Sequence, residues 1–221
     1  MADKNLTDKG NRRQGHRYTL LYEFFLHPYR NQPVSLLEMG LQIGGPEMKK
    51  SADRQTTRMP SVQTWLEYFS NVHVTGLDVS DFSWFIDPRF TFVRCDMNER
   101  KNIRTTAENM FRRFDVIIDD ASHASLHQQH GFLEFWPLLK PGGIYVIEDL
   151  MWQPPAYETA GETKTRDLFR SYMETGEFTH RSKSLQEEFQ ALRAEFGFVH
   201  LFNDQYRKDT KEAILVVQKL P

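Results

Sequence analysis

Two apolar runs that each end in a pair of acids constrain this chain more than any other feature. Phe114-Asp115-Val116-Ile117-Ile118 leads into Asp119-Asp120, and Gly143-Ile144-Tyr145-Val146-Ile147 leads into Glu148-Asp149. Short runs of this kind read as buried strands, and in an open α/β sheet the carboxyl ends of the strands line the ligand crevice. Four carboxylates then meet at one sheet edge. Their mutual repulsion raises their pKa values unless a cation or a hydrogen-bond network compensates. His123 follows Asp120 by three residues, so a hard divalent metal with an adjacent base is the expectation.

The rest of the chain repeats a strand-helix rhythm. Tyr18 to Leu26 reads as a packed helix stopped by His27-Pro28, Val34 to Met39 as the first strand, and Gly40 to Pro60 as a long loop. A helix capped by Ser61 runs to Phe69, a second strand runs from Val72 to Leu77 and ends in Asp78, and a third runs from Phe90 to Arg94 and ends near Asp96. Helices over Ile103 to Phe111 and Leu126 to Leu139 flank the strand to Asp119, and Pro141-Gly142-Gly143 turns the chain into the strand to Ile147. After Trp152-Gln153-Pro154-Pro155 come helices over Thr163 to Thr175 and Ser182 to Phe196. Two closing strands, Phe198 to Phe202 and Ala213 to Val217, are joined at Asn203-Asp204 and read as an antiparallel hairpin. The fold class is α/β: a single Rossmann-like sheet with helices on both faces and a C-terminal antiparallel hairpin.

Composition narrows the partners. The 221 residues suit one domain. With 28 basic against 30 acidic side chains, bulk polyelectrolyte binding is disfavoured, so no nucleic acid partner is expected. The single Cys95 excludes an internal disulfide and a thiolate-rich metal site. The polar start from Met1 to Arg13 and the lack of an apolar stretch of ~18 residues predict a cytoplasmic protein with no membrane span.

Each candidate residue has a structural alternative. Gly40, Gly44 and Gly45 follow the first strand where a backbone could approach a ligand, but the spacing is not that of the dinucleotide fingerprint, and a plain tight turn is the alternative. Asp78 stands where nucleotide-binding folds place an acid for ribose hydroxyls; Asp96 could equally be a turn or helix cap. His123, His127 and His130 fall at spacings that would share one helix face and suggest zinc. The oxygen-rich neighbourhood suits Mg²⁺ or Ca²⁺ better, which leaves His127 and His130 as helix-surface or packing residues. Strand alternation sends Asp119 and Asp120 to opposite faces, so one of them faces structure.

These residues resemble the class I S-adenosylmethionine-dependent methyltransferases, and within them a metal-dependent branch of sugar O-methyltransferases acting on macrolide and aminocoumarin deoxysugars. The resemblance is carried by Thr7-Asp8-Lys9-Gly10 with His16-Arg17-Tyr18-Thr19, by Leu37-Glu38-Met39-Gly40 through Gly44-Gly45, by Trp65-Leu66-Glu67-Tyr68-Phe69 and by Gly76-Leu77-Asp78. It continues through Ile117 to His123 and Pro141 to Leu150, then fades beyond Trp152. It implies a seven-stranded sheet in a single domain over 1–221: a lid and helix over 1–30, a cofactor and metal core over 34–150, and acceptor-side helices with the closing hairpin over 151–221. It implies that Glu38, Gly40, Gly44, Asp78, Asp96 and Asp119 serve the S-adenosylmethionine site, that Asp120, Glu148 and Asp149 hold Mg²⁺, and that His123 is the general base. Pro46 stands where the family more often has Ser, and the chain is shorter than several relatives.

The implied reaction is an in-line attack of a hydroxyl oxygen on the sulfonium methyl, with the metal acidifying a sugar hydroxyl held through vicinal oxygens and His123 accepting its proton. The acceptor is a glycoside or nucleotide sugar, and relatives of this branch commonly form homo-oligomers. Trp152 and Tyr157 could stack on the acceptor or simply pack the sheet edge, and Lys9, His16 and Tyr18 could form part of the lid. Rival readings are a methyltransferase of catechols or phenols, a hydroxylase relative and a non-catalytic binding module.

Overall fold

Seven segments form strands: β1 Pro33–Met39, β2 Asn71–Asp78, β3 Phe90–Arg94, β4 Phe114–Asp119, β5 Leu139–Ile147, β6 Phe196–Asn203 and β7 Glu212–Lys219. The computed structural model describes residues 2–10, 17–42, 44–52, 56–203 and 212–221. Its strands form one sheet in the order β3-β2-β1-β4-β5-β7-β6. The first five are parallel, while β7 runs antiparallel to both β5 and β6, as the hairpin reading expected. His16 and the Asp204 end of the hairpin turn lie outside the described residues.

Period-two alternation divides the sheet residues between two cores. Leu37, Met39, Ile117, Tyr145 and Ile147 pack with α4 (Arg100–Glu108), α5 (Ser125–Phe135), α6 (Thr165–Thr175) and α7 (Lys183–Leu192) through Ile103, Phe132, Phe169 and Phe189. Leu36, Val74, Val116, Ile118 and Val146 pack on the opposite face with α2 (Thr19–Leu26) and α3 (Pro60–Tyr68) through Leu26, Val62 and Trp65. A one-turn helix, α1 (Ala2–Asn5), precedes them and has no periodic sequence signal.

Several boundaries differ from the sequence reading. Ser61 does not cap α3: the cap position is Met59, Pro60 opens the helix, and the Ser61 hydroxyl donates instead to Glu38 Oε2 at 3.0 Å. Helix α4 spans Arg100–Glu108, leaving Phe111 outside it and exposed. Helix α5 ends at Phe135, and Trp136–Leu138 continue as a 3-10 turn around Pro137. Pro141-Gly142-Gly143 is a bulge inside β5, since the partner of Phe114 is Leu139 while that of Val116 is Ile144, and Gly142 takes φ +76° there.

Candidate active site

Backbone hydrogen bonds between the strand ends set the site. Gly40 N–H donates to Leu77 O at 2.8 Å, Asp120 N–H to Met39 O at 2.9 Å and Glu148 N–H to Asp119 O at 2.9 Å, which links the exits of β2, β1, β4 and β5 in one row. Gly40 has φ +83°, and a Cβ there would lie 2.1 Å from Asp120 O. That contact is with backbone and has no flexible side chain to give way. Gly40→Ala is therefore expected to cost about 3 kcal/mol or more; a denaturant melt within about 1 kcal/mol of wild type would show that the loop yields instead.

A pocket of about 520 Å³, counting the space at its mouth that is open to solvent, lies over these exits. Gly40, Asp78, Asp96, Ala121, His127 and Tyr157 are among its walls; Glu38, Gly44 and Asp119 are not. Buried Asp78 accepts from Leu41 N–H at 2.9 Å and Ser80 N–H at 2.8 Å, so it orders the loop after β1. Each carboxylate oxygen has a second lone pair, which keeps it capable of accepting from a ligand hydroxyl. Exposed Asp96 accepts from Asn98 N–H at 3.0 Å, a turn-forming bond. His127, read from sequence as a helix-surface or packing residue, bonds Ser122 Oγ at 2.7 Å and faces the Tyr157 ring at 5.0 Å. Burial lowers its pKa.

Beside the pocket the acids separate by environment. Glu38 is fully buried under α3, where Trp65 Nε1 donates to Oε1 at 2.9 Å. Burial pushes its carboxyl up to about 7 against the pull of Lys9, Trp65 and Ser61. Asp119 faces the α5 side, with Oδ1 accepting from Ala121 N–H at 3.3 Å and Oδ2 buried without a partner, and burial raises it to about 7. Asp120 and Glu148 point the other way, onto Lys9. The Lys9 ammonium is buried, pairs with Asp120, lies 2.9 Å from Glu148 Oε1 and 3.9 Å from Glu38 Oε1. Burial opposes its charge, but Asp120, Glu148 and Glu38 outweigh that and hold the amine well above its ordinary pKa. Burial also raises Asp120 and Glu148, with Lys9 pulling both back down. Tyr22 donates to Glu148 Oε1, and Tyr18 to Asp149 Oδ1 at 2.7 Å.

Asp120, His123 and Asp149 each present an atom within 4.8 Å of the others, the only such group among the described residues. His123 and Asp149 have φ of +60° and +56°, a left-handed backbone that non-glycine residues rarely adopt. The turn sets His123 Nε2 at 3.9 Å from Asp149 Oδ2 and its ring 5.8 Å from that of Trp152; its Nδ1 is buried without a hydrogen-bond partner among the described residues. Because His123 precedes α5, it does not share a helix face with His127 and His130, and the three histidines do not converge as a zinc site.

The donor set fits a hard divalent ion. Glu38, Asp120 and Glu148 share one ammonium, so carboxyl groups outnumber the cation there, and Asp120 and Asp149 each bring a carboxylate oxygen to the His123 grouping. The pocket fits a nucleoside-bearing cofactor, with an acid at the exit of β2 and close backbone at the exit of β1. Sequence alone marked Lys9 and Tyr18 only as possible lid residues and did not single out Tyr22: a lysine in a polar stretch and two tyrosines in an aromatic helix carry no periodic signal of their own.

No family model matches the chain. Over 154 residues it is 34% identical to the 8-demethyl-8-α-L-rhamnosyl tetracenomycin-C 2'-O-methyltransferase of Streptomyces olivaceus, covering 68% of this chain and 38% of that one. It is 33% identical over 137 residues to the mycinamicin VI 2''-O-methyltransferase of Micromonospora griseorubida, covering 62% and 32%. The chain thus matches between 32% and 38% of the length of these relatives. In three dimensions it resembles the MycE methyltransferase of the mycinamycin pathway, solved with Mg, SAH and mycinamycin VI, at a TM-score of 0.72 and 23% identity over 99% of this chain and 53% of that one. That likeness shows the fold. The chain has the class I S-adenosylmethionine-dependent methyltransferase fold and is related in sequence to sugar O-methyltransferases of the tetracenomycin and macrolide pathways.

Proposed function

We propose that this protein is an S-adenosylmethionine- and Mg²⁺-dependent O-methyltransferase acting on a sugar hydroxyl of a glycosylated small molecule. The observation that carries the reading is the juxtaposition of Asp120, His123 and Asp149, held by two left-handed turns, with the pocket over β1, β2 and β4. Asp78, Asp96 and Gly40 would hold the nucleoside side of the cofactor, with Glu38, Gly44 and Asp119 shaping the loops around it. Asp120, Glu148 and Asp149 would hold the ion. When bound, the cofactor supplies an electrophilic methyl on a sulfonium and the ion a Lewis acid that lowers a hydroxyl pKa.

The chain's own residues do the rest. His123 is poised to accept the hydroxyl proton at a ring nitrogen as the new C–O bond forms and the C–S bond breaks. Asp149 Oδ2 lies 3.9 Å from Nε2 and sets a carboxylate beside the ring. Trp152, partly exposed against the His123 ring, offers a flat apolar face to a sugar or to the aglycone.

Glycosides and nucleotide sugars are both acceptors of the required chemistry. Calorimetry with S-adenosylmethionine, with and without Mg²⁺, followed by mass spectrometry of candidate acceptors for the gain of one CH₂, tests the proposal. Saturable cofactor binding and Mg²⁺-dependent methylation of a glycoside are expected. Methylation confined to simple catechols would replace the sugar reading, and the absence of cofactor binding would remove the enzyme reading.

A further inference from the structure

The N-terminal segment reaches the acid cluster with three donors, and each grips a named oxygen. Lys9 pairs with Asp120 Oδ2 and Glu148 Oε1, Tyr22 donates to Glu148 Oε1, and Tyr18 donates to Asp149 Oδ1. A carboxylate has two oxygens, each with two acceptor positions, so a grip on one does not exhaust it. The Lys9 side chain is about 2% exposed and has carboxylates on three sides. Desolvation disfavours an ammonium carried this deep unless the surroundings compensate it. Asp120 stands between two groupings: on one side Lys9 with Glu38 and Glu148, on the other His123 and Asp149.

We propose that Lys9 is a permanent cation of the active site, a positioning residue whose ammonium stays in place and shares Asp120 with the divalent ion. The inference rests on the metal reading above and deepens it. In this arrangement the ammonium does the work that a second metal ion does in two-metal sites: it neutralises and orients the inner oxygens, so that a single divalent ion suffices at the outer ones. Tyr18 and Tyr22 complete this layer by fixing Asp149 and Glu148 as neutral donors. The alternative is that Lys9 is only a stand-in, seated in the place of the metal and expelled when the metal binds.

Amine footprinting separates the two. Wild-type protein is acylated with acetic anhydride with and without Mg²⁺, and lysine modification is read by peptide mass spectrometry. Lys9 is expected to stay unmodified in both states while exposed Lys101 and Lys183 react. Acylation of Lys9 only after Mg²⁺ is added would overturn the inference. In parallel, Mn²⁺ affinity is measured by electron paramagnetic resonance on wild type and Lys9→Met, which keeps the apolar stem and removes the charge. Two cations that share Asp120 repel each other, so the variant is expected to bind Mn²⁺ about tenfold tighter. Equal or weaker binding would show that Lys9 is not electrostatically linked to the metal and would sink the proposal. Failure of both proteins to bind Mn²⁺ removes the metal reading itself, an outcome distinct from binding that is present in both and unchanged.

Discussion

Replacing His123 with Ala or Gln is expected to lower turnover by about 10²-fold or more while leaving the affinity for S-adenosylmethionine within about twofold of wild type. The argument is geometric. His123 is held in a left-handed turn between β4 and α5, and its ring faces Asp149 and Trp152, not the walls of the cofactor pocket. Among the described residues Nδ1 is buried without a hydrogen-bond partner, and Nε2 lies 3.9 Å from Asp149 Oδ2, beyond hydrogen-bond distance. A ring kept at a left-handed backbone, which costs of order 1–3 kcal/mol, and left unbonded is arranged for something not contributed by the chain. If it is the base, its loss slows proton removal and spares cofactor binding. Single-turnover assays beside calorimetry decide this. Turnover near the wild-type rate in His123→Ala would end the general-base assignment, and parallel loss of cofactor affinity would recast His123 as a structural residue.

How far the site could be read from sequence depends on whether a residue's role is carried by local pattern. Asp78, Asp120, Glu148 and Asp149 stand at the ends of apolar runs, and a parallel sheet aligns those ends, so period and position together brought them to one edge. The antiparallel close of β6 and β7 was legible for the same reason, from two runs separated by a charged turn. What local pattern does not carry is direction and long-range pairing. Ser61 has the chemistry of a cap, but Glu38, 23 residues earlier, is buried beside it and takes the hydroxyl. Pro141-Gly142-Gly143 has the composition of a turn, but strand pairing on both sides of it turns the same residues into a bulge. Asp119 and Asp120 are neighbours whose alternation predicted opposite faces, yet only the packing of α5 and Lys9 says which face is which. Lys9 is the extreme case. Polar leaders are ordinarily solvated, and the buried site that makes its charge useful is assembled from β1, β4 and β5, far away in the chain.

Asp120→Ala is expected to abolish both metal binding and methyl transfer, with little loss of fold stability. Asp120 is the residue common to the two groupings: it takes Lys9 on one oxygen and belongs to the Asp120, His123, Asp149 set. Removing it leaves Asp149 and Glu148 as the proposed ligands, with Glu148 Oε1 already held by Lys9 and Tyr22, too few anionic oxygens for an ion as strongly hydrated as Mg²⁺. The fold should tolerate the change because four carboxylates crowd this edge. Burial raises the Asp120 carboxyl, a sign that its ionised form is held at a cost, and Lys9 keeps Glu148 at 2.9 Å and Glu38 at 3.9 Å as partners. The backbone bond from Asp120 N–H to Met39 O does not involve the side chain and survives the substitution. Mn²⁺ titration, thermal melts and methylation assays on one preparation would thus give no metal binding, a melting temperature close to wild type and no product. Wild-type protein that turns over in excess chelator would contradict the role given to the metal. An Asp120→Ala protein that still binds Mn²⁺ as wild type does would move the site to Glu148 and Asp149 alone and take Asp120 out of it.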